Sequence, residues 1–534
     1  GAWDEASAGM MAMSSGCAWL VLCCVALCRF GCAAEEDEVC AAGAACGPSA
    51  GGKKPYIWPM SRGPMGSHGT SPHKGVRNLS SSLAWKFFPP EGKFSSASNG
   101  ALLLDDVGNV YAGFSSGIFK FTPEGKLLWR YQVAYNDIPA LMDGLLYTTS
   151  TQGFVDAVSM ETGRLVWRSA PVCTWPAKMN SKAHYSCNCA GIGGDIGAVA
   201  AHKGTIVVKT HVPEGGGACK VAGLNATDGA FLWDFATDHL VWNFYPMLNE
   251  FDDGDTFVFQ DSTGGVYRLG LADGREVWKV TNHEGWYESW TDGGLQIGPN
   301  KVVYAVKTLK GHNQGPGVVR AYRIEDGKFL WESPPMGEPP NAWPIIARMR
   351  EGDPLTVIQA FGMAGGFNPI AIVGSYIPQW LWQSPLSGLA FVFLRSLMQF
   401  QMWIGDYSTT VFGHPELRPG VWGFDAETGK LLWKYNDMPV WKRAYFKSEQ
   451  ERLLTTGGMC IPNPCGNPTM DADGRVYIGM LDGIFYHFER DPKGTGVKTV
   501  STYDTEAAFS NGGTTIAPGF VGVVNCDTLY VFKE

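Results

Sequence analysis

The amino-acid sequence predicts an all-β protein that folds as a single eight-bladed β-propeller of four-stranded antiparallel sheets. Of its 534 residues, 68 are glycine and 20 are tryptophan, and only 17% are charged. This composition is typical of many short strands that are joined by glycine turns and carry large aromatic side chains. The second observation is an internal repeat, which occurs six times and decides the fold class.

Each of the six repeats contains a β-rich run, a turn with glycine, and a tryptophan four residues after that glycine. Glycine supplies the positive φ that a tight hairpin turn requires. The tryptophan is too large to be buried by one four-stranded sheet, so we expect it to cover the face of a neighbouring blade. The turn glycines are Gly125, Gly163, Gly229, Gly274, Gly327 and Gly429, and the predicted docking tryptophans are Trp129, Trp167, Trp233, Trp278, Trp331 and Trp433.

Two further units complete the ring. Residues 471–485 lack the tryptophan but closely parallel residues 105–119 of the first unit. The last segment, residues 513–532, supplies only three strands, and residues 82–88 are predicted to supply the fourth, with Trp85 in the docking position. The N- and C-terminal strands would then share one blade, which closes the ring and removes open sheet edges. Seven blades is the alternative count.

The N-terminal region predicts entry into the secretory pathway, with an extracellular or lumenal location. Residues 1–34 contain an apolar run that ends in small residues before an acidic stretch, which indicates a signal peptide with an extension upstream of the start methionine. A short anchor that stays attached is the alternative. Residues 35–80 are expected to be a flexible leader, and residues 81–534 the propeller, with insertions near 170–220 and 351–415.

An oxidising compartment would favour disulfide bonds and glycosylation. Cys460 and Cys465 bracket a proline-rich loop that a disulfide could close, and Cys40 and Cys46 form a similar local pair. Four cysteines of the first insertion could form two bridges: Cys173, Cys187, Cys189 and Cys219. Asn78 and Asn225 begin the two N-x-S/T sequons, so the sequence predicts a disulfide-bonded glycoprotein.

Each insertion also has a competing interpretation. In the first, His184, Cys187 and Cys189 with His202 or His211 offer soft metal ligands, but their spacing is unusual for zinc, so no metal site is predicted. The second contains a long uncharged stretch, residues 354–404, which prolines interrupt. We expect buried strands and a partly helical insertion there. The alternative is an exposed apolar surface for a partner or a membrane interface.

The repeat resembles the tryptophan-docking motif A-x-D-x-x-T-G-x-x-x-W of quinoprotein (PQQ) alcohol dehydrogenases and their non-catalytic relatives. The matching residues are Asp425, Thr428, Gly429 and Trp433 in one unit, and Ala157, Thr162, Gly163 and Trp167 in another. The resemblance covers roughly residues 82–534 and implies a PQQ-like propeller. In the dehydrogenases of this family, PQQ lies on the propeller axis with calcium, an aspartate acts as base, and two adjacent cysteines usually form a disulfide beside the cofactor.

Two functions follow from the resemblance. The favoured one is a non-catalytic binding or scaffold module that presents its loops to a protein or glycan partner. The alternative is a PQQ- and calcium-dependent oxidoreductase acting on alcohols or sugars, in which convergent carboxylate, amide and basic groups would surround a flat aromatic floor in the funnel. Beyond the signal peptide the chain has no adjacent cysteines, and no cofactor is established.

Catalytic and cofactor-binding residues stay unassigned from the sequence. The acidic candidates are Asp195, Asp261, Asp292 and Asp406, and none lies in a segment that matches a catalytic motif of the family. A turn or surface role is therefore expected for each. The net charge of −9 and the absence of a basic run argue against nucleic acid as a partner.

Overall fold

The computed structural model is an eight-bladed β-propeller of four-stranded antiparallel sheets, as the sequence predicts, and the alternative count of seven is wrong. The residues described are 54–91, 101–114, 116–133, 137–174, 197–210, 218–241, 243–281, 291, 293–309, 316–337, 342–362, 396, 419–438, 465–480, 482–494, 496–505, 507–509, 513–525 and 528–534. Among them, no helix is both long enough and apolar enough to span a membrane.

The strands follow one another within each blade, and blades 1 to 4 have the following bounds. Blade 1 contains β2 (Leu103–Leu104), β3 (Val110–Phe114), β4 (Gly117–Phe121) and β5 (Leu127–Tyr131); blade 2 contains β6 (Ala140–Met142), β7 (Leu145–Thr149), β8 (Val155–Ser159) and β9 (Leu165–Arg168). Blade 3 contains β10 (Ala200–His202), β11 (Thr205–Thr210), β12 (Ala218–Asn225) and β13 (Phe231–Val241); blade 4 contains β14 (Met247–Leu248), β15 (Thr256–Gln260), β16 (Val266–Gly270) and β17 (Glu276–Val280).

Blades 5 to 8 continue the pattern, and the last blade joins the two ends of the propeller. Blade 5 contains β18 (Leu295–Ile297), β19 (Val302–Thr308), β20 (Gly317–Arg323) and β21 (Phe329–Glu332); blade 6 contains β22 (Ile345–Ala347), β23 (Thr356–Phe361), β24 (Gly420–Asp425) and β25 (Leu431–Tyr435). Blade 7 contains β26 (Thr469–Met470), β27 (Val476–Gly479), β28 (Ile484–Arg490) and β29 (Val497–Asp504); blade 8 contains β30 (Thr515–Ala517), β31 (Phe520–Val524), β32 (Leu529–Lys533) and β1 (Leu83–Phe87).

The first strand of each blade lies nearest the ring axis, and the connections divide the ring into two faces. We call the face that carries the first-to-second and third-to-fourth strand hairpins the turn face, for example residues 105–109 and 122–126 in blade 1. The loop face carries the second-to-third strand connections and the links between blades. The ends of β23 and β24, which the second predicted insertion joins, lie at the loop face.

The tryptophans contact the next blade in the way that the repeat suggests. The Trp233 indole Nε1 donates to the carbonyl of Leu271 at 3.0 Å, and a Cβ added to Gly274 would lie 2.3 Å from the Trp233 ring. Equivalent indole-to-carbonyl bonds join Trp85 to Pro123, Trp129 to Met160, Trp167 to Ala226, Trp278 to Ile324 and Trp331 to Ala426. Glycine is therefore required at this turn for two reasons. Its φ is positive, and an indole lies against its Cα, where a side chain would clash.

A β-bulge precedes the docking position in every blade. In blade 2, Ala157 pairs with Trp167 and Val158 with Leu165, so Val166 is the extra residue on the outer strand. The other extra residues are Ala84, Leu128, Leu232, Val277, Leu330, Leu432 and Val500. A bulge bends its strand and re-aims the following side chain. The bulge thus directs each indole towards the neighbouring blade.

The prediction of a flexible leader is wrong for residues 54–80, which pack along the turn-face end of the channel. Trp58 exchanges two backbone hydrogen bonds with Leu104 of β2, and the amide of Leu141 in β6 donates to the Pro59 carbonyl. Further along the leader, backbone hydrogen bonds join His68 to β22, Ser71 to β26 and Lys74 to blade 8. The inner edges of the blades supply unpaired backbone groups, and the leader satisfies them.

Cys465 has a free thiol, so the structure contradicts the predicted bridge to Cys460. The side chain is buried in an apolar cluster with Val476, Ile478 and Met480. Cys460, Cys40 and Cys46 lie outside the described residues.

Burial raises the pKa of the Cys465 thiol, and the thiolate is the reactive form of cysteine. We therefore expect Cys465 of the native protein to resist alkylation by iodoacetamide at pH 8 and to react after unfolding in guanidinium chloride. Mass spectrometry of the peptide that contains Cys465 measures both states. Alkylation at the native stage would contradict its placement in the core.

Candidate functional site

The axial end of blades 2 and 3 carries a buried ion pair. The Lys209 ammonium, near the end of β11, lies 3.1 Å from Oδ1 of Asp137, which lies in the link that leads into β6. Both side chains are almost fully buried. Asp137 also accepts hydrogen bonds from the Gly197 amide at 2.8 Å and from the Thr149 hydroxyl at 3.0 Å. Its carboxylate is therefore engaged on both oxygens by groups of the protein.

A buried arginine from the leader, Arg62, lies against aromatic rings of blades 4 and 6. The Arg62 guanidinium stacks 4.3 Å from the Trp343 ring centroid and 5.6 Å from that of Tyr245. It donates to the carbonyl oxygens of Leu295 and Tyr245. Among the described residues no carboxylate pairs with Arg62, and burial lowers its pKa to about 9. Carbonyl oxygens and aromatic faces thus replace water around the cation.

Amide side chains complete the polar surroundings of the axis. Gln296 Oε1 lies 3.5 Å from the Arg62 guanidinium, and the Trp343 amide donates to Asn467 Oδ1 at 3.0 Å. Gln359 Nε2 donates to the carbonyl of Ala342, the residue before Trp343, at 2.9 Å. Amide and basic groups therefore converge near the Trp343 ring, but the contacts they make are mostly with one another and with the backbone.

Asp261, one of the four acidic candidates, is a turn residue. Its Oδ1 accepts hydrogen bonds from the amides of Thr263 and Gly265, both at 2.9 Å, and its Oδ2 accepts from the Tyr267 hydroxyl at 2.7 Å. Burial, followed by the nearby Asp261 charge, raises the pKa of Tyr267. Asp105 and Asp471 make the same turn with a tyrosine six residues later. The signal in the sequence is D-x-x-G-x-V-Y, which occurs at residues 105, 261 and 471.

The remaining sequence-predicted residues are not brought into one site. The His202 ring lies 2.8 Å from the Asp253 carbonyl at the turn face, and Cys219 is buried in β12. Asn78 is exposed and Asn225 is half-buried, and glycosylation of both stays a prediction. Cys219 is disulfide-bonded, and its partner lies outside the described residues, so the pairing within the first insertion stays a prediction. The structure also does not describe Asp195, Asp292, Asp406, His184, His211, Cys187, Cys189 or the side chain of Cys173.

Among the described residues no PQQ or calcium site is shown. Arg62 lies over the Trp343 ring, and the Asp137 carboxylate is paired with Lys209. Within the described ranges, no group of three or more His, Cys, Asp or Glu side chains could hold a metal ion. Sequence reasoning missed Arg62 because it belongs to no repeat. The apolar Trp58, Val76 and Leu79 were the available signal that the leader packs.

Part of the repeat region matches a known protein family. A family model described as outer membrane protein assembly factor BamB matches residues 115–285 and 151–357. The repeats of this chain are PQQ-like propeller repeats. BamB from Moraxella catarrhalis is similar in structure, with a TM-score of 0.51 and 13% identity over 85% of this chain and 99% of that one.

Two solved dehydrogenases share the PQQ-like propeller fold. A europium-containing methanol dehydrogenase has a TM-score of 0.55 and 13% identity, with 90% of this chain and 99% of that chain covered. The quinohemoprotein alcohol dehydrogenase from Comamonas testosteroni has a TM-score of 0.52 and 13% identity, with 90% and 81% covered. At this identity the similarity shows the fold alone.

One curated relative matches a shorter stretch of the chain. Tetrathionate hydrolase from Acidithiobacillus ferrooxidans is 26% identical over 152 residues, which are 27% of this chain and 28% of that protein. The chain therefore matches about a quarter of the length of this relative.

Proposed function

We propose that this chain is a non-catalytic binding propeller of the secretory pathway that presents its loop face to a protein partner. The position of the leader is the observation that carries the proposal: residues 54–80 bond to the first strands of several blades at the turn-face end, and Arg62 stacks on Tyr245 and Trp343. A partner would then meet the ring at the loop face, where the longest connections begin and end. The match to the BamB family model supports a binding role.

Site-specific photo-crosslinking tests which face the partner binds. A photoreactive amino acid at Phe88 or Thr174, exposed residues close to the loop face, is expected to crosslink a partner from the secretory fraction of the source cells. The same amino acid at Val107 or Asp273, exposed residues in turn-face hairpins, is the matched control and is expected to give no adduct. An adduct from the turn-face positions alone, or no difference between the faces, would contradict the proposal.

A cofactor titration tests the oxidoreductase alternative. PQQ and Ca²⁺ are added to the purified full chain, and binding is followed by the absorbance of the quinone. Dye-linked reduction with a panel of alcohols and aldoses follows activity. We expect neither binding nor reduction, because Arg62 covers the Trp343 ring and Lys209 pairs with the Asp137 carboxylate. Stoichiometric PQQ binding with dye reduction would replace the binding proposal by a quinoprotein dehydrogenase.

A further inference from the structure

The seam between blades 7 and 8 differs from the other joints of the ring. At the other seven joints, a tryptophan of one blade lies against a turn glycine of the next, including Trp433 against Gly496 and Trp85 against Gly125. In blade 7 the residue after the bulge is Ser501. Blade 8 has no hairpin between its third and fourth strands, because β32 and β1 come from opposite ends of the propeller. An indole in blade 7 would therefore have no turn to contact.

The leader occupies this seam. The amide of Leu79 donates to Ser501 Oγ at 3.0 Å, and the hydroxyl of Tyr477 in β27 donates to the Val76 carbonyl at 2.6 Å. Val76 and Leu79 are fully buried. They belong to an apolar cluster that contains Tyr477 and Phe485 of blade 7 and Ile516, Val521, Tyr530 and Phe532 of blade 8.

The fit at the seam is close. A Cβ added to Gly75 would lie 2.8 Å from the Tyr477 hydroxyl and 2.8 Å from a methyl group of Val521, so only glycine passes between the two blades without displacing them. The Gly75 amide also donates to Asp471 Oδ2 at 3.0 Å, and the Lys74 carbonyl accepts from the Gly519 amide at 2.9 Å. The leader therefore bonds to both sides of the seam.

We propose that residues 54–80 form a strap that locks the seam between blades 7 and 8, and that loosening the strap opens the ring at this seam. Arg62 anchors the strap to blades 4 and 5 through the carbonyls of Tyr245 and Leu295. His68 anchors it to blades 5 and 6, since its Nδ1 lies 2.8 Å from the Ile297 carbonyl and its own carbonyl accepts from the Ile346 amide at 2.9 Å. The strap is one continuous segment, so its anchors and its seam contacts are coupled.

Hydrogen–deuterium exchange of the full chain, read by mass spectrometry, tests the proposal. Leu79→Ala removes apolar contacts at the seam. It is expected to speed exchange about tenfold or more in β27 and β28 and in β31 and β32, while blades 2 and 3 keep the parent rates. Leu128→Ala, which shortens a largely exposed residue of a bulge, is the matched control and is expected to change neither region.

A second variant tests whether faster exchange at the seam comes from loosening of the strap or from a local cavity at Leu79. Arg62→Gln removes the cation at blades 4 and 5, far along the strap from the seam, and we expect it to speed exchange at the seam as well. If Leu79→Ala does not fold, Leu79→Val leaves a smaller cavity and should give the same regional pattern at lower amplitude. Exchange that rises evenly around the ring in the seam variant, or that rises only near blades 4 and 5 in Arg62→Gln, would overturn the proposal.

Discussion

Replacing Trp233 with alanine is expected to lower the free energy of unfolding by about 3–5 kcal/mol. The Trp233 side chain is 3% exposed, and its indole joins blade 3 to blade 4 through the Leu271 carbonyl. Alanine would leave a cavity between two blades and would remove the indole donor to the Leu271 carbonyl. Urea unfolding at 25 °C, followed by tryptophan fluorescence and circular dichroism, measures the change.

The control for Trp233→Ala is Val166→Ala, which shortens the extra residue of the blade 2 bulge. Val166 is 54% exposed, so its truncation is expected to change the free energy of unfolding by about 0.5 kcal/mol or less. Trp433→Ala, at the joint between blades 6 and 7, is expected to resemble Trp233→Ala. Equal stability of the Trp233 and Val166 variants would contradict a docking role for the repeated tryptophans.

The sequence was sufficient for the fold because the repeat encodes a contact between neighbours. The glycine and the tryptophan of one repeat do not meet each other: Gly274 of blade 4 meets Trp233 of blade 3. A spacing that recurs six times therefore reports on the joint between units as well as on the hairpin. Trp85 identifies the eighth blade, because it makes the same contact with Gly125 of blade 1 where the ring closes.

The bulge and the strap could not be predicted from the same pattern. Two successive apolar residues before tryptophan, as in Leu127 and Leu128, conflict with strict alternation, and the bulge resolves this conflict by exposing both. The strap has no repeat, because each of its residues meets a different blade. Its contacts depend on the ring being closed, and local sequence patterns carry no information on partners about 400 residues away, such as Val76 and Tyr477.

The axial residues could not be predicted from the sequence for a related reason. Asp137 and Lys209 belong to two different blades and meet as an ion pair, and Trp343 precedes the first strand of a third blade. Asp137 and Trp343 lie outside the repeated glycine–tryptophan hairpin, and Lys209 shares only the V-K-T end of its strand with Lys307 of blade 5. The tryptophan that approaches the axis, Trp343, is outside the docking register, so counting repeat tryptophans does not find it.

Replacing Gly274 with alanine is expected to destabilise the protein by more than its backbone conformation alone requires. The φ of Gly274 is +64°, and an L-residue in this region costs about 1–2 kcal/mol. The new Cβ would also lie 2.3 Å from the Trp233 ring, and such overpacking costs about 1–3 kcal/mol more. Gly204→Ala is the control, because Gly204 has a φ of +75° and nothing within 4 Å of an added Cβ.

A double-mutant cycle separates the two contributions at Gly274. In the Trp233→Ala background the ring is absent, so Gly274→Ala should cost only what Gly204→Ala costs, about 1–2 kcal/mol. The difference between the two backgrounds is the steric part of the contact between blades 3 and 4. If Gly274→Ala and Gly204→Ala cost the same in the parent protein, the glycine is required by the hairpin turn alone. The spacing of glycine and tryptophan would then describe the blade and not the joint.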